Sequence, residues 1–128
     1  MNLRMSSLDG TFAVCRLAAD APIPSWPRGA FISITRTPEE LSIICDDSSV
    51  PDGVHVERDW RALRVEGPLP FELTGIAAAI TTPLANAGIS VFLVATFDTD
   101  YLLVKSETFE RAVEALRASG VEVQTNAV

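Results

Sequence analysis

The fold is decided by residues 88–105, which read GISVFLVATFDTDYLLVK. Two apolar runs, at 90–96 and 101–105, flank the short segment Phe97-Asp98-Thr99-Asp100. Short runs rich in β-branched and aromatic residues are typical of strands, and Asp and Thr side chains favour a tight turn between them. This stretch therefore predicts a β-hairpin.

The segment before the hairpin predicts one strand and one helix. Residues 60–66 form the predicted strand, and Gly-Pro-Leu-Pro at 67–70 breaks it. Ile and Leu then recur at every fourth position of a predicted helix over 73–87, which gives that helix one buried face. Pro83 lies within the helix and removes one backbone hydrogen bond, and Gly88 ends the helix.

The segment after the hairpin predicts a second helix and a last strand. Ser106 is the predicted N-cap, acidic residues occupy the first turn, and Gly120 follows the last turn. Residues 121–124 form the last predicted strand. The order from 60 to 124 is therefore β-α-β-β-α-β, that of a ferredoxin-like unit, with both helices expected on one face of an antiparallel sheet.

The central strands of this unit are apolar on both of their faces. Residues 91–94 and 102–104 contain no polar side chain, although a sheet that is covered on one face only would show alternation. The second face or an edge is therefore expected to be covered, by the N-terminal half of the chain or by a second copy. A homo-oligomer is one expectation that follows.

The N-terminal half predicts strands with almost no helix. It contains three predicted strands, over 11–17, 30–36 and 41–45. A Thr-Pro-Glu-Glu turn joins the last two, and three prolines between 18 and 29 leave room for at most one helical turn. Residues 46–59 are polar and predict a surface connection. We therefore divide this α+β chain into units over 1–58 and 59–128.

Composition and charge exclude several classes of partner. The net charge is −7, and the ten basic residues are scattered rather than clustered, so nucleic acid and anionic membranes are not expected partners. No apolar run approaches the roughly 18 to 20 residues that a membrane-spanning helix needs. The N-terminus lacks the apolar core of a secretory signal. A cytoplasmic protein is therefore expected.

The residue types that carry metal or catalytic chemistry are scarce. His55 is the single histidine, and no Cys-x-x-Cys pair occurs, so we expect no metal and no cofactor. Cys15 and Cys45 are each flanked by apolar residues, which predicts buried thiols and leaves open whether they are close in space. No nucleophile elbow, phosphate loop or Cys-His pair is present. The sequence therefore predicts no catalytic residues and no enzyme.

Two segments carry the candidate binding residues. The predicted helix begins near Thr74 and Gly75, where free backbone amides can hold a carboxylate and glycine lets a ligand approach closely. Asp98 and Asp100 lie in the hairpin turn, where a carboxylate can pair with an ammonium group. The purely structural alternatives stay open at this point: Thr74 caps the helix, Gly75 packs against a strand, and the two aspartates form the turn.

Several segments resemble the ACT domains that are related to the CASTOR cytosolic arginine sensors and their small bacterial relatives. In the second half these segments are WRALRVEGPL at 60–69, LTGI at 73–76, AGIS at 87–90 and ATFDTDYLLV at 95–104. In the first half they are APIP at 21–24 and ITRTPEELSI at 34–43. The resemblance implies two tandem ACT-type units, the second complete and the first degenerate and strand-rich.

The resemblance also implies a function and a site. ACT units of this type bind an amino acid at an interface between domains and act as sensors or regulators. The resemblance adds support to the helix start at Thr74 and Gly75 and to Asp100, which lies in a matching Thr-Asp-Tyr motif. The predicted ligand-binding residues are Leu73, Thr74, Gly75, Ile76, Asp98, Thr99 and Asp100. We therefore predict a non-catalytic amino-acid-binding regulatory protein. The alternatives are an oligomerisation or protein-interaction module without a ligand, and a small enzyme on a ferredoxin-like scaffold.

Overall fold

The computed structural model describes residues 2–70 and 74–125. These residues contain the strands β1 (Arg4–Ser7), β2 (Phe12–Leu17), β3 (Ser33–Arg36), β4 (Leu41–Asp46), β5 (His55–Val65), β6 (Phe92–Ala95), β7 (Asp100–Lys105) and β8 (Glu122–Gln124). The two α-helices are α1 (Ile76–Asn86) and α2 (Phe109–Ala118). The chain forms two compact units, one over Gly10–Trp60 and one from the described residues on either side of that range.

The unit over Gly10–Trp60 is an antiparallel sheet in the order β3-β4-β2-β5. The three predicted strands are present, although β3 begins three positions later than predicted, and no α-helix occurs in this range. The predicted turn between β3 and β4 is closed by Thr37, whose N–H donates to the carbonyl of Glu40 over 2.9 Å. The prediction of a surface connection over 46–59 is wrong from His55 onward. That segment pairs with β2 although its alternating side chains are mostly charged.

A bulge interrupts the pairing of β5 with β2. Phe12 faces Trp60 and Val14 faces Glu57, so the two β5 residues Arg58 and Asp59 lie opposite one residue of β2. The carboxylate of Asp47 holds this bulge, because it accepts from Arg58 Nη1 over 2.6 Å and from the Asp59 N–H over 3.0 Å. Asp59 has φ of 65°, a left-handed conformation that Asp tolerates better than most residues.

The two cysteines are neighbours in the core of this unit. Cys45 faces Ala13 across the β2–β4 ladder, so Cys15 lies on the diagonal from it, and both side chains are buried free thiols. Burial, and then the proximity of Cys45, raise the pKa of the Cys15 thiol to about 12. The prediction of buried thiols is confirmed.

The second unit contains the predicted β-α-β-β-α-β order, from β5 to β8, with one additional strand. Its sheet order is β6-β7-β5-β1-β8, and β1 pairs antiparallel with β5 and parallel with β8. Sequence reasoning missed β1, whose residues Arg-Met-Ser-Ser include only one large apolar side chain, Met5. Backbone pairing with β5 on one side and β8 on the other makes this short segment an inner strand, and Met5 is fully buried there.

The helices differ from their predicted bounds mainly at the N-termini; α1 also ends one residue earlier than predicted, at Asn86. Helix α1 begins at Ile76 rather than near residue 73, after Gly75 at φ of 83°. Its predicted buried face is present, and Pro83 lies inside the helix. Ser106 is not the N-cap of α2, since it begins a short 3-10 turn and Thr108 precedes the helix. Both helices bury one face in the same core.

The core of this unit lies between the helices and the sheet. Leu63, Leu102 and Val104 are fully buried in this cluster. Ala62 and Leu103, which alternate with them along β5 and β7, are also fully buried. Strand β7 is therefore covered on both faces, as the composition of 102–104 predicted. The same prediction does not hold for the edge strand β6, where Leu93 remains 38% exposed. No helix among the described residues is long and apolar enough to span a membrane.

Candidate functional site

A cavity of about 360 Å³ lies where helix α1 begins and where the β6–β7 turn approaches it. Its walls include Leu69 and Pro70 from the loop after β5, the backbone at the start of α1, and the turn over 96–100. This volume lies at the lower end of the range of small-molecule sites. The cavity therefore has the size for a ligand of amino-acid dimensions.

Two hydrogen bonds join the end of β5 and the loop after it to the β6–β7 turn. The Leu69 N–H donates to the carbonyl of Asp98 over 2.8 Å. The buried Thr99 hydroxyl donates to the carbonyl of Val65 over 2.6 Å. Gly67 permits this approach, since a Cβ at this position would lie 3.1 Å from the Asp98 oxygen. The walls of the cavity are thus held at a fixed spacing before any ligand enters.

The β6–β7 turn is itself closed by hydrogen bonds between Thr96 and Thr99. The Thr96 N–H and hydroxyl both donate to the Thr99 carbonyl, over 2.8 Å and 2.9 Å. The Thr99 N–H donates back to the Thr96 hydroxyl over 3.3 Å. Because the backbone is closed in this way, the turn leaves the side chains of Phe97 and Asp98 exposed and that of Asp100 half-buried, all three at the cavity.

The start of α1 supplies the opposite wall. Gly75 is the N-cap, and its carbonyl accepts the first hydrogen bond of the helix, from the Ala79 N–H over 2.9 Å. The N–H groups of the first turn of α1, before Ala79, have no acceptor within the helix, and they carry the positive end of its dipole. No acidic side chain occupies that first turn. This wall is therefore suited to a carboxylate.

The two walls differ in electrostatic character. The helix end is positive, whereas the turn brings the carboxylates of Asp98 and Asp100 to the same cavity, and none of the described lining residues is basic. A ligand with a carboxylate at one end and a cationic group at the other matches both walls.

The structure brings most of the predicted site residues to this one cavity. Gly75 and Ile76 line one side, and Asp98, Thr99 and Asp100 line the other. Ile76 is mostly buried in the core, so it offers backbone rather than side chain. Thr99 uses its hydroxyl proton within the fold. Thr74 is exposed and does not line the cavity, and Leu73 lies outside the described residues.

Sequence reasoning did not include several lining residues. Leu69, Ala77 and Thr96 line the cavity, and their residue types carry no signal of ligand binding. Phe97 also lines it and is 78% exposed, the highest exposure among the large hydrophobic residues described. An aromatic residue at the tip of a polar turn was the signal that could have identified this position.

Two family models match the chain. Residues 55–118 match the ACT domain. Residues 10–53 match a second family model that describes an N-terminal domain. The second match lies within the compact unit over Gly10–Trp60, and most of the ACT match lies in the other unit.

Two known proteins are similar in sequence to part of this chain. The chain is 36% identical to the human putative protein CASTOR3P over 90 residues, which cover 60% of the chain and 55% of that protein. It is 28% identical to the bovine cytosolic arginine sensor for mTORC1 subunit 1 over 105 residues, which cover 73% of the chain and 32% of the sensor. The chain thus spans less than two thirds of the length of these relatives.

A solved structure agrees over the full length. The crystal structure of a protein from Agobacterium tumefaciens is 36% identical, superposes with a TM-score of 0.94, and is covered to 96% by the whole of this chain. With the family match over half of its length, this chain belongs to the ACT domain family.

Proposed function

We propose that this chain is a non-catalytic regulatory protein that binds an amino acid in the cavity between the start of α1 and the β6–β7 turn. One observation carries the proposal: backbone amides at a helix N-terminus share a small cavity with two carboxylates, Asp98 and Asp100. The amides receive the α-carboxylate of the ligand, and the aspartates receive its cationic groups.

The ligand proposed first is an amino acid with a cationic side chain. Two carboxylates on one wall exceed what a single α-ammonium group needs, and no basic residue of the described lining neutralises them. The relatives matched above include cytosolic arginine sensors, so arginine is the first compound to test. The proposed site then comprises Gly75, Ile76, Asp98, Thr99 and Asp100, and Leu73 and Thr74, which precede them in the sequence, stay proposed ligand-binding residues.

The wider arrangement proposed is a tandem of ACT-type units, over 1–58 and 59–128, the first degenerate and strand-rich. The division of the fold into two compact units and the lack of an α-helix between Gly10 and Trp60 support this arrangement. We place the protein in the cytoplasm and expect a homo-oligomer. The exposed edge strand β6 supports the oligomer, because unpaired strand edges invite a further strand.

A thermal-shift screen of the twenty amino acids tests the ligand. A compound at 100 times its dissociation constant stabilises the folded state by about 2.7 kcal/mol. The shift is expected for arginine or lysine, and it should disappear in Asp100→Asn. Asp52→Asn is the matched control, because Asp52 is an exposed turn residue outside the cavity. An equal shift in Asp100→Asn and in the wild-type chain would place binding elsewhere.

The alternative is an interaction module that works without a small ligand. Exposed apolar side chains favour it, namely Leu93 on β6 and Ile23, Ile32 and Ile34 in the other unit. This reading predicts a stable oligomer by light scattering and no thermal shift with any amino acid. The amino-acid proposal predicts the shift whatever the oligomeric state.

A further inference from the structure

A second concavity, of about 430 Å³, lies beside helix α2 and is larger than the cavity already described. We call it the α2 groove, and its lining includes Arg61, Phe109, Glu110, Glu114, Arg117 and Thr125. None of its described lining residues also lines the first cavity, between the start of α1 and the β6–β7 turn, which we call the α1 cavity. The fold elements that form it are β5, α2 and the end of β8.

Arg61 is held in this groove by an aromatic ring. Its guanidinium carbon lies 4.1 Å from the centroid of Phe109, which is a cation–π contact. The Nε atom of Arg61 is buried and has no hydrogen-bond partner in the part of the chain that the structure describes. The ion pairs found among those residues do not include Arg61 either. Within the described residues, Arg61 therefore lacks the anion that partly buried arginines ordinarily bind.

The described lining of the groove includes three further charged residues, one basic and two acidic. Arg117 donates through Nη2 to the carbonyl of Val123 over 2.7 Å, which fixes its guanidinium to the chain. Glu110 and Glu114 are exposed. They lie four residues apart on α2, so they share one side of the helix. Among the described residues, the groove therefore combines two guanidinium groups with two carboxylates that are open to solvent. Arg117 is bonded to a backbone carbonyl, whereas Arg61 lies against Phe109 and has no ion pair there.

We propose that the α2 groove binds a small zwitterion, whose carboxylate pairs with Arg61 and whose ammonium group lies against Glu110 or Glu114. The ring of Phe109 covers one face of the guanidinium and leaves its N–H edge for a carboxylate. The two glutamates repel a simple anion and favour a ligand that also carries a positive charge.

Titration of the full-length chain with γ-aminobutyrate, followed by NMR, tests this site. The Nε–Hε resonance of Arg61 and the backbone amides of Val113 and Thr125 should shift together and saturate. Arg61→Gln should weaken binding by about tenfold or more, because a charged hydrogen-bonded pair is lost. Butyrate, which lacks the ammonium group, should bind more weakly than γ-aminobutyrate, and Glu110→Gln/Glu114→Gln should remove that difference.

Controls separate this site from the α1 cavity and from misfolding. Asp100→Asn lies in the other cavity, so it should leave the γ-aminobutyrate titration at Arg61 unchanged. If Arg61→Gln does not fold, Phe109→Leu replaces it, since loss of the ring should also weaken binding. The proposal is overturned if γ-aminobutyrate leaves the Arg61 resonance unchanged up to millimolar concentrations. It is equally overturned if folded Arg61→Gln binds as well as the wild-type chain.

Discussion

Replacement of Thr99 by valine should loosen the wall of the α1 cavity and destabilise the fold. The side chain is 5% exposed, and its hydroxyl donates to the carbonyl of Val65 over 2.6 Å. Valine has nearly the same shape, so the change removes a hydrogen bond without creating a large void. It leaves a buried carbonyl without this donor, which costs about 1–3 kcal/mol.

The expected change in melting temperature follows from the length of the chain. Unfolding entropy is about 2.1 cal/mol/K per residue, so about 0.27 kcal/mol corresponds to one degree for 128 residues. Thr99→Val should therefore lower Tm by about 4–11 °C. The shift is larger if the unit that contains Thr99 melts separately, because fewer residues then contribute to the entropy.

Thr81→Val is the matched control for this measurement. The Thr81 hydroxyl donates to the Ala77 carbonyl over 2.7 Å, but it lies on the exposed side of α1. Water replaces that hydrogen bond, so the change in stability should stay within about 0.5 kcal/mol. Differential scanning calorimetry of both variants measures the contrast. Equal melting temperatures for Thr99→Val and Thr81→Val would refute the claim that the Thr99 hydroxyl ties the turn to β5.

Three further predictions concern packing, the bulge and the thiols. Gly67→Ala should destabilise by about 1–3 kcal/mol in urea unfolding, because its Cβ would press on the Asp98 carbonyl. Asp47→Ala should cost about 1–3 kcal/mol by the same assay, because the Asp59 N–H and Arg58 lose their hydrogen bonds to this carboxylate; an unchanged midpoint would contradict its role in the bulge. The raised pKa of Cys15 makes stability fall as pH rises from 9 toward about 12, since the unfolded thiol ionises first. This fall should be absent in Cys15→Ala.

The predicted elements that the structure confirms share a local cause. The hairpin at 88–105 and the two helices follow from periodicities that a window of a few residues contains. The same holds for the first unit, where prolines exclude a helix between β2 and β3. Such features depend little on what the rest of the chain does.

The errors cluster where pairing partners decide the structure. Strand β1 has one large apolar residue, and the first half of β5 is mostly charged. Both segments become strands because a neighbouring strand supplies hydrogen bonds to their backbones, in the case of β1 on both sides. The start of α1 was placed early for a related reason, since Gly75 adopts a left-handed conformation that composition does not reveal.

The candidate site shows the same division between local and distant causes. Its residue types were predictable, because a glycine before a helix and aspartates in a hairpin turn are visible in the sequence. Their meeting in one cavity was not visible in the composition, since it depends on β7 pairing with β5 and on the hydrogen bond between Leu69 and Asp98.

The sequence by itself determined the hairpin, the buried faces of both helices and the scarcity of catalytic residue types. Only the tertiary structure decided that β1 lies between β5 and β8, and that Arg61 is stacked on Phe109 beside two glutamates. The physical reason is that periodicity and turn preference act over a few residues. Strand order and side-chain encounters are instead set by backbone hydrogen bonds between distant segments, which nearly any sequence can donate and accept.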